Sequence, residues 1–177
     1  LMLSPILGST AFTASQGIAN RVTNLADIPS QVLSDILYPK SAKKENAENK
    51  ERIKYFYEKT VGAALSINIP VILMVMIFPR LIILILGGYE YLDAVPYLQL
   101  IAITGIFLTF LKYFGVIIDS TGRPQVNFVV ITGIALIHVG LTWYFIKNYG
   151  FIGAAYAAII SNVIGFVISQ VILYRYF

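Results

Sequence analysis

The residues best suited to chemistry in this sequence are a few charged and amide side chains inside otherwise apolar segments. Arg21 lies near the middle of segment 11–37, where an ionisable group is costly in a membrane unless it faces a cavity or a partner. Its guanidinium is a permanent cation that can bind phosphate through two N–H donors. Arg21 is therefore predicted to bind an anion in a water-filled cavity. The alternative is an ion pair with Asp27 or with an acid of a longer protein.

The polar residues of segment 11–37 recur with helical period on one side of the segment. A helix with one polar and one apolar side either lies on the membrane surface or lines an aqueous cavity in a bundle. Surface helices are usually rich in Lys and Arg, whereas this segment has one Arg and two Asp, so we favour the cavity. The polar side comprises Thr13, Gln16, Asn20, Asn24, Asp27, Gln31, Ser34 and Asp35, and the apolar side comprises Ile18, Val22, Leu25, Ile28, Val32 and Ile36.

Three amides of this polar side, Asn20, Asn24 and Gln31, are predicted to bind substrate together with Arg21. The two carboxylates, Asp27 and Asp35, are candidates for binding a coupling cation or for carrying protons. The alternative is that these carboxylates only hydrate the cavity.

Two further ionisable residues lie in the later apolar segments. Lys112 either adds a second positive charge to the same cavity or extends its ammonium group to the membrane interface. His138 shares a helical face with Asn127 and Thr142, which is compatible with a proton relay. For His138 we favour a hydrogen-bonded contact between helices.

Composition excludes several classes of function. The chain has no Cys, which excludes disulfides, thiol catalysis and cysteine-based metal sites, and its single His cannot form a His cluster. The sequence contains no G-x-S-x-G, P-loop or G-x-G-x-x-G motif. Its basic residues alternate with acidic ones beside apolar segments, which fits a membrane-proximal loop better than a nucleic-acid surface. We therefore predict no enzyme, no catalytic residue, no metal site, no cofactor and no nucleic-acid partner.

The elements that position these side chains are predicted to be helices that span a membrane. The chain is 58% apolar and only 12% charged. Soluble domains usually carry roughly 25% charged residues. Four segments have the ~20 mostly apolar residues that a spanning helix needs, namely 61–79, 97–118, 126–146 and 152–174. Together with segment 11–37 they predict an all-α integral membrane bundle of about five transmembrane helices. Residues 80–86 are expected to form a bent continuation after Pro79 or an interfacial turn.

Segment 38–60 contains half of the charges in the chain, seven basic and four acidic residues. Loops rich in Lys and Arg tend to stay in the cytoplasm. Placing this loop inside collects nine basic residues on the cytoplasmic side and leaves two, Arg80 and Lys147, outside. Segment 38–60 is therefore predicted to be a cytoplasmic loop. Opposite charges four residues apart indicate that residues 43–59 extend the next helix into the cytoplasm.

Small residues recur at every fourth position of the last apolar segment. Such a series lets two membrane helices approach each other closely. We interpret it as a packing seam rather than a ligand site, and its members are Gly153, Ala157, Ser161, Gly165 and Ser169.

Five short motifs, in order along the chain, are similar to elements of one family of transporters. They are Gly17-Ile18-Ala19-Asn20-Arg21 with Leu25 and Ile28-Pro29; Tyr38-Pro39-Lys40-Ser41; Leu86-Gly87 with Tyr91, Ala94 and Leu98; Gly122-Arg123; and Tyr149-Gly150-Phe151-Ile152-Gly153-Ala154-Ala155 with Ser161. Their order over nearly the whole chain resembles the polysaccharide flippases (Wzx type) of the multidrug/oligosaccharidyl-lipid/polysaccharide exporter superfamily.

This resemblance implies a transporter of two lobes, with residues 1–177 forming part of the C-terminal lobe of a longer protein. The implied activity is the flipping of polyprenyl-diphosphate-linked oligosaccharides, by alternating access, across the bacterial cytoplasmic (inner) membrane for surface polysaccharide biosynthesis such as that of O-antigen. Arg21 matches a cavity arginine that is associated with the diphosphate in related lipid II flippases. The implied partners are the lipid bilayer, the lipid-linked glycan and the N-terminal lobe of the same protein.

Two other functions stay open at this point. A cation-coupled drug or metabolite antiporter of the same superfamily would place Asp27 and Asp35 at the centre of transport. A membrane scaffold that transports nothing would tolerate neutralisation of every charge in the cavity.

Overall fold

The computed structural model describes residues 10–43 and 49–176, in which every regular element is a helix. This confirms the predicted all-α class. The elements in chain order are α1 (Thr10–Ala42), α2 (Lys50–Ile77), α3 (Pro79–Leu86), a 3₁₀ helix (Tyr89–Ala94), α4 (Val95–Ser120), α5 (Pro124–Tyr149) and α6 (Phe151–Tyr176).

Within these residues, four helical stretches are long and apolar enough to cross a membrane. They are Lys50–Ile77, Tyr89–Ser120, Pro124–Tyr149 and Phe151–Arg175. The last three contain the segments expected to span at 97–118, 126–146 and 152–174, whereas the first ends at Ile77, two residues before the end expected for segment 61–79. The first helix, α1, has 33 residues and is roughly 50 Å long at 1.5 Å per residue, which exceeds the ~30 Å of a hydrocarbon core. Helix α1 is too polar to count among the four stretches that are apolar enough to span. That α1 crosses the membrane therefore stays a prediction.

Most of the charged segment 38–60 is helical. Helix α1 continues to Ala42 and α2 begins at Lys50. The side chain of Asn49 caps α2, because its Oδ1 accepts a hydrogen bond from the backbone N–H of Arg52 at 3.1 Å. The expected extension of the second helix into the charged segment is confirmed from residue 50 onwards, whereas residues 44–48 lie outside the described residues. The cytoplasmic location of the segment stays a prediction.

Proline and glycine set the breaks between the later helices. Pro79 occupies the first turn of α3, which confirms the expected short continuation as a separate helix after Phe78. The two tight connections that follow α4 and α5 contain Gly122 at φ 79° and Gly150 at φ 62°. Side chains other than glycine rarely adopt such positive φ angles, so these glycines permit the helices to reverse direction.

Helix α4 is the centre of the bundle and contacts each of the other four long helices. A hydrophobic cluster lies at each of its ends, and the two clusters are separated by a cavity along its middle. Near the start of α4 the buried residues include Val75, Ile83, Tyr97, Leu98 and Phe151. Near its end they include Ile53, Tyr57, Tyr113, Phe114 and Leu173.

The predicted small-residue seam is a packing surface. All five of its members are buried. A Cβ atom on Gly165 would lie 2.7 Å from Ile134 Cδ1 and 3.2 Å from Leu111 Cδ1, and one on Gly153 would overlap the backbone carbonyl of Phe145. The seam therefore brings α6 against α5 and α4 as closely as the backbone allows.

Candidate functional site

A cavity of about 750 Å³ lies within the bundle, and all five long helices contribute to its wall. The lining residues of α4 run from Tyr97 to Phe114, a length of roughly 25 Å at 1.5 Å per residue. Ligand pockets typically enclose ~300–1,000 Å³, so the volume is sufficient for a sizeable ligand. More than half of the lining residues are apolar, and the polar ones are mainly neutral.

The wall formed by α1 is mainly polar, with Val22 as its one apolar member among the described residues. Gln16, Asn20, Asn24 and Asp27 all line the cavity. They are three or four residues apart, so they form one stripe along the helix. The predicted cavity-lining face of α1 is present in the structure, and it is narrower than the eight residues assigned to it.

The only two charged lining residues among those described are paired with each other. Lys112 Nζ on α4 donates to both carboxylate oxygens of Asp27 on α1, at 3.0 and 2.9 Å. The two side chains are partly buried, with 26% and 42% of their surface exposed. Of the two alternatives for Lys112, the structure shows the cavity rather than extension to the interface. Asp27 is paired with Lys112 and not, in this structure, with Arg21.

One turn from this ion pair, a buried amide joins three helices. Asn68 of α2 donates from Nδ2 to Thr109 Oγ1 at 2.8 Å and to Ser30 Oγ at 3.3 Å. The Thr109 hydroxyl donates its proton to the Gly105 carbonyl at 2.8 Å, so its oxygen accepts from Asn68, which fixes the orientation of the amide. Asn68 Oδ1 is then buried without a hydrogen-bond partner among the described residues.

The opposite wall carries a similar polar contact between α5 and α6. His138 Nδ1 is 2.9 Å from Ser161 Oγ. The Ser161 hydroxyl also lies 3.1 Å from the Ala158 carbonyl, so it links His138 to the backbone of α6. The contact between helices that we favoured for His138 is confirmed. Thr142, one turn further along α5, also lines the cavity, and its buried Oγ1 has no partner among the described residues.

A third polar contact lies near the connection between α4 and α5. Asn127 Nδ2 donates to Asp119 Oδ2 at 2.9 Å. Gly115 allows this approach, since a Cβ at that position would be 3.2 Å from the Asn127 amide. Asn127 is also a lining residue, so the cavity reaches towards this end of the bundle.

Three of the residues predicted to act in the cavity lie outside its wall. Arg21, Gln31 and Asp35 are exposed and are not lining residues. Successive helical residues are rotated by about 100°, so Arg21 points to a different side of α1 from its neighbour Asn20. Ile28 and Val32 are on that same outer side and are 53% and 55% exposed. The structure thus brings together Asn20, Asn24, Asp27 and Lys112, and the roles of all seven residues stay predictions.

Several lining residues were not singled out as site residues from the sequence. Asn68, Asn127 and Asn162 are amides inside segments that are otherwise apolar. A polar residue at such a depth is itself a signal, because it usually faces the interior of a bundle. Counting these three with Gln16, Asn20 and Asn24 gives six amide side chains on the wall.

Comparison with known proteins identifies the family. The MatE family model matches residues 1–144, which is most of the chain. The chain belongs to the MatE family. Its four long apolar helices make it a multi-pass membrane protein, in agreement with the membrane helical bundle predicted from the sequence.

Two relatives of this MatE chain are similar along almost its whole length. One is the uncharacterized membrane protein MJ1068 of Methanocaldococcus jannaschii, 27% identical over 168 residues that cover 95% of this chain and 32% of that protein. The other is the lipopolysaccharide biosynthesis protein WzxC of Escherichia coli K12, 24% identical over 176 residues that cover 97% of this chain and 33% of that protein. The chain thus spans about a third of the length of these relatives. No solved structure matches it significantly.

Proposed function

We propose that the whole protein moves a polyprenyl-diphosphate-linked oligosaccharide across the bacterial cytoplasmic membrane for surface polysaccharide biosynthesis, and that residues 1–177 form part of its C-terminal lobe. Membership of the MatE family and the similarity to a protein named for lipopolysaccharide biosynthesis support this proposal. The observation that carries it is the composition of the cavity wall, which has six amides and a single, internally neutralised ion pair among the described residues.

Amide side chains suit a glycan because each offers both donors and acceptors to sugar hydroxyls without attracting ions. Asn20 and Asn24 line the cavity in consecutive turns of α1, and Asn68 of α2 lines it as well. A cavity selective for cationic drugs would be expected to present a carboxylate that is not already held by a lysine. The wall therefore favours a neutral, hydroxyl-rich cargo.

The diphosphate would bind through cations at the cavity and at its edge. The Lys112 ammonium donates two hydrogen bonds to Asp27. A phosphate oxygen would compete with the Asp27 carboxylate for this ammonium. Arg21 lies on the outer side of α1, so it would contact the diphosphate where the cargo passes between this lobe and the remainder of the protein. In this proposal the segment between α1 and α2 is cytoplasmic, and transport proceeds by alternating access.

The test uses the full-length protein in its host, with surface polysaccharide measured at matched expression of Lys112→Met, Asp27→Asn and the double variant. Either single change leaves one charge partly buried and uncompensated, so both should reduce stability. The double change removes both charges, so the apparent melting temperature should recover. Polysaccharide output should stay at least tenfold low in the double variant, because the ammonium that binds phosphate is gone.

Full recovery of output in the double variant would show that the pair is only structural and would contradict the role of Lys112. For the outer cation, Arg21→Ala should lower output more than Arg21→Lys, because only a guanidinium binds phosphate through a planar pair of donors. Unchanged output from both Arg21 variants would remove this residue from the proposal. Normal output from every variant would favour the scaffold.

One observation favours a second function, a cation-coupled antiporter of the same superfamily. Asp27 is a carboxylate on the cavity wall, where a cation could replace the Lys112 ammonium. Efflux of a drug or metabolite that depends on a cation gradient and is lost in Asp27→Asn, with normal surface polysaccharide, would support this alternative.

A further inference from the structure

A second concavity lies on the outside of the bundle, between α2 and α6 at the charged end of α2. It encloses about 470 Å³, and we call it the α2–α6 groove. Val61, Leu65, Phe110 and Leu173 form its apolar floor, while Lys54, Glu58 and Tyr174 are at its mouth. None of these residues belongs to the central cavity.

The position and length of the groove correspond to one leaflet of a bilayer. From Lys54 to Leu65 the groove follows α2 for roughly 16 Å at 1.5 Å per residue. This is about half of the ~30 Å thickness of a hydrocarbon core. The charged residues are at one end and the apolar residues at the other, which is the arrangement of a phospholipid head group and acyl chain.

The mouth of the groove carries an accessible cation. The Lys54 side chain is 49% exposed, and its Nζ lies 5.8 Å from the centre of the Tyr174 ring. Its contact with Glu58 measures 3.9 Å between exposed side chains, a kind of ion pair that contributes little to stability. Residues 50–59 contain four basic and two acidic residues, so the local charge is positive. An anionic head group is therefore attracted here and can displace Glu58.

One polar contact inside the groove is made by the protein itself. Gln170 Nε2 of α6 donates to Tyr57 Oη of α2 at 2.8 Å, which joins the two helices across the groove. Most of the other lining residues are apolar, so an acyl chain suits the interior and the polar part of the occupant belongs at Lys54.

Gly62 provides the space for this occupant. It lies in the middle of α2 and lines the groove, and a Cβ built on it would contact nothing within 4 Å. Glycine within a helix lowers stability relative to alanine. At this position no protein atom requires the absence of a side chain.

We propose that the α2–α6 groove binds one anionic phospholipid of the leaflet next to the charged segment, with its phosphate at Lys54 and one acyl chain over Gly62. Basic sites between membrane helices are a general form of recognition for anionic lipids. This site is separate from the proposed transport path, so it does not depend on which cargo the protein moves.

The experiment uses the full-length protein in detergent, with an equimolar mixture of phosphatidylglycerol and phosphatidylcholine that have identical acyl chains. Native mass spectrometry then counts the lipids retained on the folded protein. Phosphatidylglycerol should be retained in preference, and Lys54→Gln should lower the preference about fivefold, the loss expected for one lysine near an anionic lipid. Glu58→Gln should raise it, because the competing carboxylate is removed.

Two matched controls separate the groove from general effects. Lys59→Gln removes a neighbouring charge that is bound to Tyr55 Oη at 3.0 Å and does not line the groove, so the preference should change little. Gly62→Leu should reduce retention of both lipids by filling the space, whereas Gly140→Leu, at another glycine with open surroundings, should not. Melting temperatures confirm that each variant is folded.

Equal retention of the two lipids by the unmodified protein would overturn the proposal. So would equal losses from Lys54→Gln and Lys59→Gln, which would indicate attraction to the charged segment as a whole. Stronger retention of a polyprenyl phosphate than of phosphatidylglycerol would overturn the proposal too, because the groove would then bind the polyprenyl carrier lipid instead of a phospholipid.

Discussion

The two sides of α4 are built differently. Towards α6 the contact is made by small residues and edge-to-face rings, with Phe110 and Phe166 at 4.8 Å between ring centres and Gly165 against Leu111. Towards α1 the contact is made by hydrogen bonds and the Asp27–Lys112 ion pair. Close apolar packing resists any displacement, whereas polar groups beside a cavity can exchange partners with water or with a ligand. The difference indicates a fixed unit of α4, α5 and α6 and an exchangeable contact with α1.

The largest effect is expected on the closely packed side. Gly153→Ala places a methyl group against the backbone carbonyl of Phe145, which cannot rotate away as a side chain could. Overpacking of this kind costs typically ~1–3 kcal/mol, and we expect the upper end of that range. The apparent melting temperature in detergent should fall by several degrees. Gly140→Ala, where the surroundings are open, should leave it unchanged or slightly raised. Equal melting temperatures for the two variants would contradict the close packing of α6 against α5 at Gly153.

At Asn68, the buried amide that joins α1, α2 and α4, we expect a change of function without a comparable loss of stability. Asn68→Leu removes an amide whose Oδ1 has no described partner, and the Thr109 hydroxyl keeps its bond to the Gly105 carbonyl. We expect a change of less than about 1 kcal/mol in stability, because replacing a partly satisfied polar group by an apolar one of similar size is often nearly neutral. Polysaccharide output should fall several-fold. A large loss of melting temperature with normal output would mean that Asn68 serves packing alone.

The smallest effect is expected at Tyr113. Its hydroxyl donates to the Ser30 carbonyl at 3.0 Å, and the Ser34 hydroxyl donates to the same carbonyl at 2.9 Å. Tyr113→Phe therefore leaves the carbonyl satisfied and should cost about 1 kcal/mol or less. A thermal shift assay that compares the melting temperatures of the Tyr113→Phe and Asn68→Leu variants checks this expectation. A loss of melting temperature as large as that of Gly153→Ala would show that the contact between α1 and α4 is as rigid as the small-residue packing surface of α6.

The sequence predicted the helices of this chain better than the directions of its side chains. The four apolar segments and the glycine-containing turns between them are local signals, and each produced the expected helix or break. The helical ends around the charged segment could not be located from hydropathy, because Lys50 and its neighbours suit a helix as well as a loop.

The site could be predicted only in part for a different reason. Helical spacing placed Asn20 and Asn24 on one face of α1, but it could not show how far around the helix the cavity extends. Arg21 falls outside the wall because packing against α2 and α4 fixes the rotation of α1. The partner of Asp27 is 85 residues away at Lys112, a separation that no local pattern reveals.

That separation has a consequence for the order in which the protein is made. Each Arg or Asp at the centre of an inserting helix costs ~2.5–3.5 kcal/mol, so α1 on its own is a poor substrate for insertion into lipid. Its counterion, Lys112, is synthesised 85 residues after Asp27, which is about 4 to 17 s later at ~5–20 residues per second. Until then, α1 has to be sheltered by the insertion machinery or by helices made before it. If α1 spans the membrane as predicted, its commitment to the bilayer is a late event of biogenesis, although it precedes the other described helices in the sequence.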